Sequence, residues 1–111
     1  MERLVNVENI GGKIVKEDDR YVVRDNVFGN SLVLSSTYLS GKKSTTGHRH
    51  KGQEEVYIFI KGHGSIELDE ETFKVNKNDI VCIHDGVFHR VHNEGDTGLL
   101  FITVFEGQRT H

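Results

Sequence analysis

No stretch of this chain sustains a 3.6-residue apolar period. Short runs of strand-forming residues recur instead, separated by clusters of Gly, Asn and Asp. The runs fall at residues 21–23, 31–39 (SLVLSSTYL), 56–60 (VYIFI), 65–68, 72–75, 80–83 (IVCI), 88–92 and 99–105 (LLFITVF). Many short strands at close spacing predict an all-β fold, a small antiparallel β-barrel or jelly roll. The chain has no proline, so its 12 glycines and its Asn and Asp residues must supply the turns. The runs 56–60 and 80–83 are continuously apolar and read as buried strands. In 99–105, Phe101, Thr103 and Phe105 share one face and Ile102 and Val104 the other. That strand is expected to be covered twice, between two sheets or at a dimer interface. The first twenty residues carry the weakest pattern, and the tail 108–111 is expected to be loose.

A length of 111 residues fits one domain over 1–111, its informative part lying between 41 and 105. Lys and Arg number 14 against 17 Asp and Glu, a net charge of −3. That balance argues against a nucleic-acid groove or an anionic membrane surface as partner. No apolar run approaches the length of a membrane span. The start, MERLVN, lacks the apolar core of a secretory signal, so a cytoplasmic protein is expected. The one cysteine, Cys82, forbids an intramolecular disulfide, and its place inside IVCI reads as a buried, inert thiol.

Histidine is the unusual residue. There are seven, five of them between His48 and His89. His48 and His50 are two apart, which on a strand puts both rings on one face. Lys51-Gly52-Gln53 reads as a turn into the strand opened by Glu54 and Glu55. A hairpin of that kind brings a carboxylate beside the imidazoles. His89 comes later, after a glycine turn. Three imidazoles and a carboxylate suit one divalent transition metal: Fe, Mn, Zn, Ni or Co. A lone His-x-His carries little weight; the whole constellation carries more. His84 reads as a solvated turn residue, His63 as exposed in the turn Gly62-His63-Gly64, and His92 as outward-facing. Tyr57 and Phe59 share the alternation of Glu55 and are candidate cavity-lining residues, as is Arg90.

The arrangement resembles the cupin superfamily, whose first motif runs His-x-His, three or four residues, Glu, six residues, Gly. Here it is His48-Arg49-His50, then Glu55, then Gly62. The spacing to Gly62 favours Glu55 over Glu54. The second motif, Pro-x-Gly, two residues, His, three residues, Asn, is matched by His84-Asp85-Gly86, His89 and Asn93. Three turn positions depart from the pattern. Lys42 and Asn78 stand where the family has glycine, and His84 where it has proline. The resemblance implies a metal site of His48, His50, Glu55 and His89, and a homodimer.

Cupins span many activities, so the fold leaves function open. Thr45-Thr46-Gly47-His48-Arg49-His50, four residues, then Glu55, is similar to the signature of cupin-type sugar-phosphate isomerases, although those enzymes are longer. That resemblance implies a sugar or sugar-phosphate isomerase or epimerase acting on a small-molecule substrate. Glu55 or a metal-bound hydroxide is then the candidate base, ahead of Glu54, Tyr57 and His92, and Arg49, Lys43 and Arg90 are candidate phosphate contacts. The alternatives are an iron-dependent dioxygenase, a lyase, or a non-catalytic metal- or ligand-binding module.

Overall fold

The structure is a computed structural model and describes residues 4–107; the tail 108–111 lies outside them. Nine strands are present: β1 (Lys13–Glu17), β2 (Tyr21–Phe28), β3 (Leu32–Leu39), β4 (Glu55–Lys61), β5 (His63–Leu68), β6 (Glu71–Asn76), β7 (Ile80–Ile83), β8 (His89–Asn93) and β9 (Leu99–Glu106). They form two antiparallel sheets. One has six strands in the order β1-β2-β3-β9-β4-β7, the other three in the order β6-β5-β8. Among the described residues no helix is long and apolar enough to cross a membrane.

The expected runs are strands, with ends moved by one or two residues, except that 21–23 extends to an eight-residue strand. The weakly patterned start contributes β1, which pairs with β2. The connection from β4 to β5 carries the chain from the larger sheet to the smaller, and only Gly62 separates the two strands. Its φ of 89° is in the left-handed region, and a Cβ there would sit 2.8 Å from the Gly98 carbonyl oxygen. Glycine alone avoids both penalties.

The core lies between the sheets. β9 is central in the larger sheet, paired on one side with β3 and on the other with β4. Register puts inward residues in rows, Val23–Thr37–Phe101–Phe59 and then Ser35–Thr103–Tyr57. Phe101 stacks on Tyr57 with centroids 5.1 Å apart and meets Phe59 at 5.4 Å. From the smaller sheet Ile66, Val75 and Val91 close over them. Each fully buried aliphatic or aromatic side chain of this kind contributes about 1.5–3 kcal/mol.

Two expectations about burial are corrected. The 80–83 run is not a buried strand, and Cys82 is not a buried thiol. β7 is the edge of the larger sheet, with β4 as its one partner there. Ile83 faces the core, whereas Ile80 is 67% exposed and Cys82 is exposed on the outer face. In 56–60, Tyr57 and Phe59 are buried while Val56 is exposed outside, so the strand is covered fully on one face only. The 99–105 strand meets the expectation: Phe101, Thr103 and Phe105 are buried inside and Ile102 outside.

Lys42 and Asn78, the two residues in place of family glycines, both hold positive φ, 62° and 79°. The backbone thus keeps a glycine conformation where the side chain is no longer glycine. Asparagine tolerates this conformation; lysine does so at a cost. Replacing Lys42 by Gly is expected to stabilise the fold by ~0.5–1 kcal/mol, the left-handed penalty less the added chain entropy of glycine. A rise in Tm of a few degrees by calorimetry checks this.

Candidate metal centre

The site begins with an irregular extended segment, residues 43–50, laid antiparallel along β8. Thr45 N donates to Val91 O, and His48 and His89 exchange both backbone hydrogen bonds, at 2.9 and 2.8 Å. His48 and His50 are therefore not on a regular strand as expected; isolated bridges hold the segment instead. Beyond His50 the chain turns at Lys51 and Gly52 and enters β4 at Glu55. The expected hairpin is not formed, because the histidine segment pairs with β8 and not with β4; the turn still brings Glu55 beside the imidazoles. Glu55 stands across from Ile83 on one side and Phe105 on the other, at one end of the barrel interior. His89 opens β8 from the facing sheet.

His50, Glu55 and His89 are brought together. One donor atom of each lies within 4.8 Å of the others, and all three residues are buried. His89 Nε2 is 3.3 Å from Glu55 Oε2, with side chains 4% and 2% exposed. The other ring nitrogen, His89 Nδ1, is 3.1 Å from the Val87 carbonyl. A carbonyl can only accept, so Nδ1 carries hydrogen and Nε2 is turned toward the carboxylate. A nitrogen lone pair facing a carboxylate oxygen at this distance calls for a cation between them, either a proton or a metal. A donor edge of 3.3 Å also matches bonds of about 2.1 Å to a transition ion. The donor chemistry, and the His89–Glu55 edge of the set, thus fit such an ion.

His48 falls outside that set of mutually close donors. Its ring is half-buried beside them, stacked on His50 with centroids 5.4 Å apart and 6.2 Å from His89. Of the other candidate bases, Glu54 is exposed beside His84, Nδ1 to Oε2 3.5 Å. His92 faces outward as expected, hydrogen-bonded to Glu67 and, at 2.5 Å, to Ser44 Oγ. Glu55 and Tyr57 remain at the site, and the Tyr57 ring meets His89 edge-on at 5.9 Å.

Beside the donors is a narrow cavity of about 30 Å³ lined by His48, His89, Tyr57 and the hydroxyls of Thr37, Thr45 and Thr103. Lys16 and Tyr21 line it as well. At about 10–15 Å³ per water, the enclosed part has room for two or three water molecules. Tyr57 lines it as expected. Phe59 does not: it is fully buried, packed on Phe101. Arg90 does not either. Alternation along β8 turns it to the other face from His89, and its Nε donates to Thr45 O at 2.8 Å. Arg49 lies outside, its guanidinium on Gly86 O and Asp69.

The residues missed from sequence are Lys16 and Tyr21 of the N-terminal hairpin. Burial pushes the Tyr21 phenol up, but hydrogen bonds from Thr46 and Lys16 and the nearby Lys16 charge together hold it below its ordinary value.

This is a candidate metal site in an antiparallel β fold: buried imidazoles and a carboxylate brought together from facing sheets, with His89 also lining a small polar cavity. The chain belongs to the cupin family, whose domain profile (Cupin_2, cupin domain) matches residues 35–105, more than half its length. It is 30% identical over 102 residues to an uncharacterised protein of Methanocaldococcus jannaschii, covering 78% of this chain and 82% of that one. It is 24% identical over 103 residues to an oxalate-binding protein of Thermotoga maritima, covering 93% and 84%. Among solved structures, a Klebsiella pneumoniae protein with a double-stranded β-helix domain superposes with a TM-score of 0.82 at 14% identity, covering 100% and 95%.

Gly47 fixes the approach of the histidine segment. A Cβ there would lie 2.3 Å from the tip of the Phe88 ring. Gly47→Ala is expected to destabilise the protein by about 1–3 kcal/mol, the usual range for overpacking. Phe88→Ala added to it should recover part of that loss. Urea unfolding of the two single variants and the double variant measures the coupling.

Proposed function

We propose that this chain is a metal-dependent cupin acting on a small, oxygen-rich metabolite, with His50, Glu55 and His89 holding one divalent transition ion and His48 as the fourth ligand. The buried His50–Glu55–His89 cluster carries the reading, because its three donors lie within 4.8 Å of one another and one of them, His89, also lines a cavity bearing threonine hydroxyls. An ion bound there supplies Lewis acidity toward a carbonyl or hydroxyl oxygen. The chain's own residues do the rest. Val87 O fixes the His89 ring, the threonine hydroxyls and Tyr57 orient the ligand, and burial excludes bulk water. The reaction we favour is proton transfer between neighbouring carbons of a hydroxy-carbonyl compound, an isomerisation or epimerisation. The Thr45–His50 motif supports it, and Glu55 is the proton acceptor in this scheme. A binding role without turnover is the second reading, supported by the likeness to the oxalate-binding protein of Thermotoga maritima.

Elemental analysis of protein purified without a His tag or chelating resin tests the site. Wild type is expected to hold about one ion per chain, and His50→Ala to lose it. Chelation should lower Tm, since an ion bound only to the folded state stabilises it. No uptake on titration with Fe, Mn, Zn, Ni or Co would overturn the metal reading. A metal-loaded protein that interconverts no member of a panel of aldoses, ketoses and their phosphates, followed by NMR, would leave the binding role and remove the isomerase.

We also propose that the chain forms a homodimer through the outer face of the six-stranded sheet. Ile80, Tyr38 and Val56 are 67%, 51% and 36% exposed there, and they flank the half-buried Val104 and Leu100. A continuous apolar surface on an antiparallel sheet has reason to pair. Sedimentation should give a dimer for wild type and a monomer for Ile80→Glu; a monomeric wild type ends the idea.

A further inference from the structure

The β1–β2 ladder contains an irregularity that decides where Lys16 points. Ile14 stands opposite Arg24, but the next pair is Lys16 with Val23, so the two residues Val15 and Lys16 follow where one would keep the register. This is a β-bulge. In an unbroken strand Lys16 would share the face of Ile14, which is 41% exposed on the outside. Across the bulge it shares the face of Val23, which is 5% exposed in the core. A lysine that alternation assigns to solvent is thereby turned inward, half-buried, onto the end of the metal-site cavity.

Its surroundings there are those of a cation without an anion. Among the described residues Lys16 is in no ion pair with a carboxylate. Arg20, the neighbouring cation, is already committed, its Nη2 2.8 Å from Asp18 Oδ2 and 3.1 Å from Thr46 Oγ1. The Lys16 ammonium is 5.3 Å from the Tyr21 ring centroid, with the phenol oxygen as hydrogen-bond partner. The cavity lining holds this one ammonium, several hydroxyls and no carboxylate. A partly desolvated ammonium facing a polar cavity favours an anionic oxygen ligand.

We infer that Lys16 is the specificity-determining residue of the site. It selects small anionic acids by binding their carboxylate while the ligand's second oxygen donor faces the histidines. The inference rests on the metal reading above for the inner end of the cavity, and it narrows the substrate from any small polar metabolite to hydroxy-, keto- or dicarboxylic acids of few atoms. Neutral sugars would be discriminated against, because they would leave the ammonium desolvated with no charge opposite it. Tyr21 acts through Lys16 as a positioning residue, holding the ammonium over the cavity.

The test is calorimetric titration of oxalate and glycolate, with the neutral oxamide and ethylene glycol as size-matched controls. Metal-loaded and metal-free protein are each titrated, for wild type, Lys16→Gln and Lys16→Arg. Metal content is measured separately for every sample. Wild type should bind an acid at least about tenfold more tightly than its neutral counterpart, the scale of one charge-assisted hydrogen bond. Lys16→Gln should lose that preference with unchanged metal content and Tm, and Lys16→Arg should retain most of it. Equal acid binding by wild type and Lys16→Gln overturns the inference, as does a wild type that binds no acid or binds the neutral controls as well. If no sample takes up metal, the metal reading falls by that separate measurement. A Lys16-dependent preference in the metal-free protein would then still support the anion site, and its absence would remove it.

Discussion

Two backbone hydrogen bonds between His48 and His89 hold the site together. They join segments forty residues apart in the chain, one irregular and one a regular strand. Once they are made, His50 and His89 must project into the same interior, and the short turn after His50 leaves Glu55 nowhere to go but beside them. The smaller sheet gains an additional, irregular edge from the same pairing. Gly47 is the local condition for it, since any side chain there would meet Phe88 before the segment could settle on β8. The metal donors are a consequence of this seam as much as of their own chemistry.

The interior is divided by polarity. Toward one end, Leu39, Leu99, Phe59 and Phe101 make a dry core. Toward the other, Ser35, Thr37, Thr103 and Tyr57 bring oxygen atoms into the same sheet face, ending at Glu55. Burying so many hydroxyls is costly unless each finds a partner, so this end contributes less to stability than the apolar end. The aromatic stack of Tyr57 on Phe101 lies on the boundary, both rings belonging to the core and both lining the cavity.

Two turn positions show how a family pattern can change while the backbone stays. Lys42 and Asn78 hold the left-handed conformation that glycine would take without penalty. The chain accepts this because each turn is fixed from outside: Lys42 N donates to Gly95 O, and Asn78 N to Phe59 O. Tertiary hydrogen bonds therefore outweigh the local preference. A motif search that insists on glycine would pass over these turns, although their geometry is intact.

Several features were decided by the sequence alone. Period-two runs broken by glycine and asparagine determined strands, because side-chain alternation is a property of the extended chain itself. The short spacing from His50 to Glu55 determined two of the candidate donors, because a tight turn makes neighbours of residues that close in the chain. Other features depended on the tertiary structure. Cys82 and Ile80 look like core residues in IVCI, yet β7 is an edge strand, and sheet order is a non-local property that no run of residues records. One bulge in β1 decides that Lys16 shares the face of Val23 and not that of Ile14; a bulge is set by what the strand pairs with, not by its own composition. Arg90 and Phe59 were misplaced for the same reason, since which face of a strand meets the cavity, and how deep, is settled by the facing sheet. Local periodicity wrote the elements and half the site, and long-range pairing chose which side chains the cavity meets.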